Sequence, residues 1–512
     1  MNLKKLLNFT HQLLLSGKID EAYINLNKII KIDPKNLYAL NSLGILNLQK
    51  KQYIKSLSLF GKCLELNPNF YQAIFNKAIC LKELNRNNEA IQCYLEGLKI
   101  NPNSIDGYYN LGNCLLKIGN YEKAIENYDI VTKHNPNFCE AFFNKGISFE
   151  RIGKYNEAIE NHNKAIRIKK NFFKSYLHKG NCFQNLNKFK KALNYYKKTI
   201  ELNPSYKKTY NNLGHLQLLL SDYKNGWINY QYRDDRRLNE FKSIGLFNLK
   251  DKINLKGKSI FIYKEQGLGD YIFFCRYLPL IKKLGANIML DTPEVLVPLI
   301  NSMNFEYTLI NNKETLDETK IDYHLSICSL PLLFNTAKDN IPNKTPYLFI
   351  DKEKVDFWSK KINKNKKNIG IKWTGNKNYW NDKKRSTNLR QLKSLLQMPF
   401  EFHSLEISYS SEDLVFMKNM DNIKSYKDEL HGFDNTAALM KNMDLIITTD
   451  NSVANLCGAL NIEGWVILSK LPDFRWLLKQ NKTPWYPSLK LYRQIKSNDW
   501  NGVIKNIIRD LS

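Results

Sequence analysis

The sequence predicts an α + α/β architecture, with an N-terminal α-solenoid followed by two Rossmann-like domains. The solenoid is predicted by prolines and small residues that recur with a period of 34 residues. The α/β part is predicted by short apolar runs that alternate with helical segments from residue 256 onward. With 512 residues the chain is too long for one ordinary core, so several domains are expected.

Three sets of positions carry the 34-residue period. Proline ends each repeat because it lacks an amide hydrogen and clashes inside a helix. A glycine or alanine in the first helix of each repeat, and an alanine in the second, let the two helices approach closely. In this order the three sets are Pro34, Pro68, Pro102, Pro136 and Pro204; Gly44, Ala78, Gly112, Gly146, Gly180 and Gly214; and Ala90, Ala124, Ala158 and Ala192.

This pattern resembles the tetratricopeptide repeat family over residues 1–233, in about six to seven units of 34 residues. Stacked helix pairs form a groove, which indicates a protein or peptide partner; a spacer or dimerisation element is the alternative. Asparagines at one repeat position suit a bound peptide backbone, although the whole chain is rich in asparagine. These residues are Asn76, Asn110, Asn144 and Asn212.

The charge of the chain is strongly positive, at +28, and it is uneven. Residues 151–200 hold 13 lysine and arginine residues against 2 acidic residues. Such a surface attracts anions, although a merely solvated face is the alternative. Binding of nucleic acid is supported by charge alone, because no recognised nucleic-acid motif accompanies it.

The cysteine pattern and the hydropathy exclude some classes of protein. The nine cysteines are scattered without a Cys-x-x-Cys pair, which argues against a disulfide framework or a zinc site, and no metal is expected. No apolar run is long enough to span a membrane. The first 17 residues are interpreted as a repeat helix rather than a signal peptide, so a cytoplasmic protein is expected.

Apolar runs in the C-terminal half predict parallel strands separated by helices, one of which covers residues 271–284. They form two Rossmann-like domains, residues 256–345 and 346–512, behind a connector at 234–255. The second domain is expected to bind the nucleotide. The predicted strands are Ser259–Tyr263, Asn287–Leu290, Asn368–Lys372, Leu445–Thr448 and Gly464–Leu468. Ligands of such folds bind at the carboxyl ends of the strands.

A glycine turn follows the first of these strands. Gly267 and Gly269 permit a tight turn and a close approach to a ligand. Asp270 stands at the start of the next helix, where a catalytic role and a helix-capping role are both open.

Two later turns suit phosphate. Residues 372–386 include Lys384 and Arg385, whose donors fit a diphosphate, with an exposed basic loop as the alternative. A helix that starts near Ser452 presents amide groups to an anion, although Asp450 and Ser452 also suit capping. Residues 471–494 are predicted to form a long ordered loop that serves packing.

Taken in order, these segments resemble the bacterial tetratricopeptide proteins whose C-terminal domain is related to the lipopolysaccharide heptosyltransferases, glycosyltransferase family nine. The resemblance implies a GT-B fold and inverting, metal-independent transfer from a nucleotide sugar, with no separate cofactor. Asp270 matches the family's catalytic aspartate. The segments are EQGLGD (265–270), RYLPL (276–280), IGIKWTGN (369–376), NDKKRS (381–386), DNTAALMKNMDLIITTDNSVANLCGAL (434–460), PDFRWLL (472–478) and TPWYPS (483–488).

The resemblance also implies a set of nucleotide-binding residues and contains two departures. Asn451 stands where the family usually has threonine, and Asn455 stands where it has histidine, so the affinity for nucleotide is in question. The residues matched to nucleotide binding are Gly267, Gly269, Lys384, Arg385, Asp450, Asn451 and Ser452.

We therefore expect a glycosyltransferase whose repeats recruit the acceptor. The alternative is a protein-binding scaffold whose transferase-like domain is inactive or only senses a nucleotide sugar. The architecture is also similar to the O-linked N-acetylglucosamine transferases, in which repeats guide protein acceptors, but that similarity is one of architecture alone.

Overall fold

The computed structural model of the protein describes residues 3–233, 254–310, 317–377 and 382–512. Contacts within the chain divide it into two compact units, Met1–Pro204 and Ser205–Ser512. Apart from its last two residues, the connector predicted at 234–255 lies outside the described residues. None of the described helices is long and apolar enough to cross a membrane.

The first unit is built from helices that pack in consecutive pairs along the chain. This is the helical solenoid predicted from the 34-residue period. Its helices are α1 (Leu3–Leu15), α2 (Ile19–Ile32), α3 (Leu37–Gln49), α4 (Tyr53–Leu66), α5 (Tyr71–Glu83), α6 (Asn87–Ile100), α7 (Ile105–Lys117), α8 (Tyr121–His134), α9 (Cys139–Arg151), α10 (Tyr155–Ile168), α11 (Phe173–Asn185) and α12 (Phe189–Leu202).

Glycine in the first helix of a repeat makes room for a ring from the second helix. A Cβ atom at Gly112 would lie 2.8 Å from Cε1 of Tyr128, and one at Gly180 would lie 2.5 Å from Cε1 of Tyr196. Real Cβ atoms are not found that close to another atom. The regular spacing of these glycines therefore reflects a ring that is packed directly on the backbone.

A second set of small side chains fills positions where the helices touch. Each of them is fully buried, so a larger side chain would force the helices apart. This agrees with the prediction that close packing requires small residues there. The set consists of Ala90, Ala124, Ala158 and Ala192 on the second helices, and Cys80, Cys114, Ser148 and Cys182 on the first helices.

The second unit begins with two further helices, α13 (Lys207–Leu219) and α14 (Tyr223–Tyr230). The sequence places them in the repeat array, which we predicted to end at residue 233. Contacts group them with the residues that follow. Trp227 is fully buried, and its indole Nε1 donates a hydrogen bond to the carbonyl of Thr336 at 3.0 Å.

A four-stranded parallel sheet follows, in the order β3-β2-β1-β4. Its strands are buried on both faces in the centre, as parallel sheets covered by helices require. The strands are β1 (Ser259–Tyr263), β2 (Asn287–Leu290), β3 (Thr308–Leu309) and β4 (Tyr323–Ser326), and the helices are α15 (Leu268–Phe274), α16 (Leu278–Lys283), α17 (Val297–Asn301) and α18 (Leu330–Leu333).

A seven-stranded sheet occupies the rest of the unit, in the order β10-β11-β9-β8-β5-β6-β7. Only β10 runs antiparallel to its neighbour among the described strands. Its strands are β5 (Asn368–Lys372), β6 (Glu401–Ser404), β7 (Ile423–Ser425), β8 (Leu445–Thr449), β9 (Gly464–Leu468), β10 (Lys482–Thr483) and β11 (Tyr486–Arg493). Its helices are α19 (Lys352–Ser359), α20 (Asp382–Arg385), α21 (Lys393–Leu396), α22 (Ser411–Met417), α23 (Phe433–Met440), α24 (Ser452–Ala459) and α25 (Trp500–Leu511).

Two predictions of local structure were wrong. The single helix predicted over 271–284 is interrupted by a short 3₁₀ turn, after which Pro279 lies in the first turn of α16, where proline is tolerated. The segment predicted to be a loop over 471–494 contains β11. Pro487 suggested a loop, but it precedes Leu489, the first residue that pairs with β9, so it removes no hydrogen bond from that ladder.

We expect Gly112→Ala to destabilise the first unit by about 1–3 kcal/mol, because the new methyl group overlaps the ring of Tyr128. The measurement is urea unfolding followed by far-ultraviolet circular dichroism. Gly61→Ala is the matched control: Gly61 also lies inside a helix, but a Cβ there would meet nothing within 4 Å. The control should be stabilised by about 0.5–1 kcal/mol, since alanine favours helix. Equal effects of the two substitutions would contradict the packing argument.

Candidate functional site

The glycine turn after β1 is closed by a hydrogen bond to the side chain of Asp270 at the start of α15. Gly267 is the N-cap residue, and its amide donates a hydrogen bond to Oδ2 of Asp270 at 3.1 Å. Asp270 is therefore the third residue of the helix and not the N-cap that the sequence left open. The carboxylate lies near the positive end of the helix, where a negative charge is favoured.

The backbone at Gly269 lies directly against the start of α24. A Cβ atom at this position would be 3.2 Å from Cα of Ser452 and 3.2 Å from Nδ2 of Asn455. A side chain here would be in tight contact with the start of α24, so glycine favours this close approach. The two turns that were singled out in the sequence thus meet, one following β1 and the other following β8.

The cap of α24 is Asn451. Its Oδ1 accepts hydrogen bonds from the amides of Val453 at 2.8 Å and Ala454 at 3.4 Å. The prediction that Asp450 or Ser452 caps this helix was wrong. The side-chain Nδ2 of Asn451 also donates a hydrogen bond to the carbonyl of Thr374, which ties the turn to the end of β5.

The side chain of Arg475 joins the carboxylates around these two turns. Its Nη2 donates to Oδ1 of Asp270 at 2.7 Å, and its Nε donates to Oδ1 of Asp473 at 2.7 Å. The guanidinium is mostly buried, with 11% of the side chain exposed. The segment around Arg475 was predicted to serve packing, and Arg475 was not among the predicted site residues, although it lies in one of the motifs that carry the resemblance.

In this cluster, burial and the neighbouring charges shift the pKa values of Arg475 and Asp473 in opposite directions. Burial lowers the pKa of Arg475, but the carboxylates of Asp473, Asp270 and Asp450 outweigh it and raise that pKa well above its usual value. Burial would raise the pKa of Asp473, but the charge of Arg475 lowers it. Asp450 has a raised pKa, first because it is buried and then because Asp473 is negative. The cluster therefore binds protons at Asp450 more readily than at Asp473.

Part of the basic turn that follows β5 also lies at the candidate site. A Cβ at Gly375 would lie 2.4 Å from Oδ1 of Asp382 and 2.8 Å from Nη2 of Arg385, so the guanidinium lies over the glycine backbone. The charge of Arg385 also slightly opposes the rise in the pKa of Asp450 that burial causes. Lys384 is exposed.

A second buried ion pair anchors the glycine turn from the other side. Arg233 donates from Nε to Oε1 of Glu265 at 2.6 Å and from Nη2 to Oε2 at 2.6 Å. Ser326, at the end of β4, also donates to this carboxylate. Burial lowers the pKa of Arg233, but Glu265 outweighs this and raises it. The turn is therefore held in place by a buried ion pair on this side.

We expect Arg475→Met to lower the free energy of unfolding of the second unit by about 3–5 kcal/mol, because Asp270 and Asp473 lose their buried counterion. All eight tryptophans lie between residues 227 and 500, so tryptophan fluorescence in urea follows this unit. Arg509→Met is the control, since Arg509 pairs with Asp510 at an exposed place and should contribute no more than about 1 kcal/mol. An Arg475→Met variant as stable as this control would show that the cluster is not paired as described.

The family models that match the chain lie in its helical part. Models of the tetratricopeptide repeat match residues 59–92, 105–138, 140–172 and 173–206, and a TPR repeat model matches residues 81–119. Protein FlbA of Caulobacter vibrioides is 23% identical over 323 residues, which are 58% of this chain and 54% of FlbA. The chain thus spans about half the length of this relative.

Solved structures that resemble the chain also cover the helices. YrrB, described as a TPR protein with an unusual peptide-binding site, is 19% identical, with a TM-score of 0.34, and the match covers 36% of this chain and 96% of YrrB. A tetratricopeptide repeat protein of Parabacteroides merdae is 17% identical, with a TM-score of 0.39, covering 46% of this chain and 96% of that protein. From the family models, the helix pairs over residues 59–206 are tetratricopeptide repeats.

Proposed function

We propose that the second unit is a GT-B-type glycosyltransferase domain that transfers a sugar from a nucleotide-sugar donor. The observation that carries this proposal is the meeting of the two turns at Gly269 and Ser452, with the carboxylate of Asp270 beside them. Both turns follow parallel strands, β1 and β8, whose carboxyl ends are where α/β folds bind ligands.

Asp270 suits the role of general base. One oxygen accepts a hydrogen bond from Arg475 and the other from the amide of Gly267, so each keeps a lone pair. Its side chain is 22% exposed, which leaves access for an acceptor hydroxyl. In the proposed reaction Asp270 takes the hydroxyl proton, the oxygen bonds to the anomeric carbon, and the bond from that carbon to the diphosphate breaks.

The leaving diphosphate requires positive partners, because the proposed reaction uses no metal. Arg385 lies over Gly375 and pairs with Asp382, and Lys384 is exposed on the same turn. A guanidinium and an ammonium group placed there would neutralise charge that develops on the phosphate oxygens. The nucleotide would lie against the turn formed by Asp450, Asn451 and Ser452.

The repeats are proposed to recruit the acceptor or a protein partner. The Asn144 amide donates to Oδ1 of Asn113 at 2.8 Å, and that of Asn110 donates to the carbonyl of Asp106. Their donors are used within the repeats, so the oxygens of Asn144 and Asn110 are the groups offered to the amides of a peptide.

A specific feature favours the alternative of a scaffold with an inactive or sensing domain. Oδ1 of Asn451 accepts from two amides at the start of α24, the groups that a phosphate would otherwise use. Asn455 donates to the carbonyl of Asn451 and accepts from the hydroxyl of Tyr486, so it serves the core. Under this alternative the domain binds a nucleotide sugar weakly and does not turn it over.

We expect one of a panel of nucleoside diphosphates and nucleotide sugars to raise the melting temperature of the protein. Ligand at 100 times its dissociation constant stabilises by about 2.7 kcal/mol. The shift should shrink in Lys384→Ala/Arg385→Ala. The matched control is Arg390→Ala/Lys393→Ala, which removes the same charge from exposed positions just beyond the turn. Absence of any shift at millimolar ligand would reject nucleotide binding at this site.

Asp270→Asn separates the two candidate functions. For a transferase, we expect this variant to keep the ligand-induced shift in melting temperature while release of nucleoside diphosphate from the donor falls by about 10²–10⁴-fold. The amide has the shape of the carboxylate and can still accept from Arg475. A wild-type protein that shows the shift but releases no nucleoside diphosphate, with or without acceptor, would support the sensing scaffold instead.

A further inference from the structure

Two neighbouring repeats depart from the others at three positions, and the departures converge inside the first unit. His162 of α10 stands where five other repeats have a phenylalanine or tyrosine ring. Its ring lies against the backbone of Gly146, as the rings of Tyr128 and Tyr196 lie against Gly112 and Gly180. The residues at this repeat position are Leu26, Phe60, Tyr94, Tyr128, His162, Tyr196 and Tyr230.

His178 and Glu150 are equally exceptional. His178 of α11 replaces a position held elsewhere by Ser42, Asn76, Asn110, Asn144 and Asn212. Glu150 of α9 replaces a position held elsewhere by Leu48, Lys82, Leu116, Gln184 and Leu218. Nδ1 of His178 lies 2.7 Å from Oε2 of Glu150, and the rings of His178 and His162 are 5.5 Å apart between centroids.

His162 has no hydrogen-bond partner for either ring nitrogen among the residues that the structure describes, although it is fully buried. The rings of Tyr128 and Tyr196 direct their hydroxyls to Asn113 and Asn181, but the corresponding position 147 is isoleucine. A buried polar group without a partner costs about 1–3 kcal/mol, so packing alone does not account for a histidine there.

Cys182 completes the cluster. It lies one helical turn after His178 on the same face of α11 and is fully buried. Donor atoms of Glu150, His162 and Cys182 all lie within 4.8 Å of one another. Cys80 and Cys114 occupy the same repeat position, but Phe60 and Tyr94 stand where Cys182 has His162, so the cysteine alone does not define the cluster.

We propose that Glu150, His162 and Cys182 bind a transition-metal cation of the Zn²⁺ class inside the solenoid. Imidazole nitrogen, thiolate sulfur and carboxylate oxygen are the ligands that zinc takes in proteins. A carboxylate and a thiolate balance the charge of a divalent cation, which makes burial of the ion tolerable. Tetrahedral ligands lie roughly 3.3–3.8 Å apart, so the donor atoms close by about 1 Å on binding.

His178 is a positioning residue in this site. Its hydrogen bond to Oε2 of Glu150 orients the carboxylate, the role that outer partners commonly play at zinc centres. Lys179 is also buried nearby, with its ammonium group 4.2 Å from the centroid of the Tyr195 ring. That ring helps to hold the lysine charge, which would otherwise weaken binding of a cation.

The test uses the full chain, freed of metal by a chelator and titrated with Co²⁺ and then Zn²⁺. We expect one equivalent of Co²⁺ to bind with a thiolate-to-cobalt absorption band, and Zn²⁺ to displace it. His162→Tyr restores the residue of the neighbouring repeats and should lower the affinity at least about 100-fold while the helix content is kept. His178→Asn, also a residue of the other repeats, should weaken binding about 10–100-fold.

Cys182→Ser keeps the fold, since Ser148 occupies the same repeat position, and it should abolish the thiolate band. Cys114→Ser is the matched control and should change neither the stoichiometry nor the band. All nine cysteines are buried, so exposed thiols do not compete for the ion. A wild-type protein without the band, or a band retained in both His162→Tyr and Cys182→Ser, would overturn the proposal.

Discussion

The arrangement of the candidate site depends on the buried guanidinium of Arg475. A charge removed from water requires counterions within reach, and here Asp270 and Asp473 supply them. Asp270 follows the first strand of one sheet, whereas Arg475 follows β9 of the other. Pairing the charge of Arg475 therefore brings the ends of the two sheets together. The same ion pair fixes the orientation of the Asp270 carboxylate, which we propose as the general base.

Close contacts with the backbone of two glycines also hold the candidate site together. Gly269 lies on the start of α24, and Gly375 lies beneath Arg385. At both places a side chain would occupy space that now belongs to a neighbouring turn. The ion pair between Arg233 and Glu265 also holds the glycine turn that follows β1 in place. Rigid turns of this kind reduce the reorganisation needed at the moment of reaction or binding.

Strands that consist of a short apolar run could be predicted from the local sequence alone. Strands β1, β2, β5 and β9 have the predicted bounds because each is a short apolar run bordered by polar or turn residues. Strand β4 was missed because it carries His324 and Ser326, whose burial depends on neighbouring strands. Arg475 was missed for a similar reason, since its partner Asp270 is 205 residues away in the chain. No spacing rule links the two.

The repeats show how a periodic sequence reveals function through its exceptions. Tyr128 and Tyr196 explain why a large ring is favoured beside Gly112 and Gly180, so His162 is noticed only once that packing is known. Cysteine spacing alone argued against a metal, because zinc motifs are usually recognised by ligands that are close in sequence. In a solenoid, ligands on three successive helices are separated by whole helices and still converge.

Asn451 and Asn455 decide how the second unit should be understood. Both are buried amides, and both use their donors and acceptors on neighbouring groups in the protein. Those bonds stabilise the turn in the absence of ligand, and a phosphate would have to compete with the side chain of Asn451 for the amides of α24. The guanidinium of Arg385 is also engaged, since its Nε lies 3.3 Å from Oδ1 of Asp382. A diphosphate at this turn would therefore have to compete with protein groups both for the helix amides and for this guanidinium.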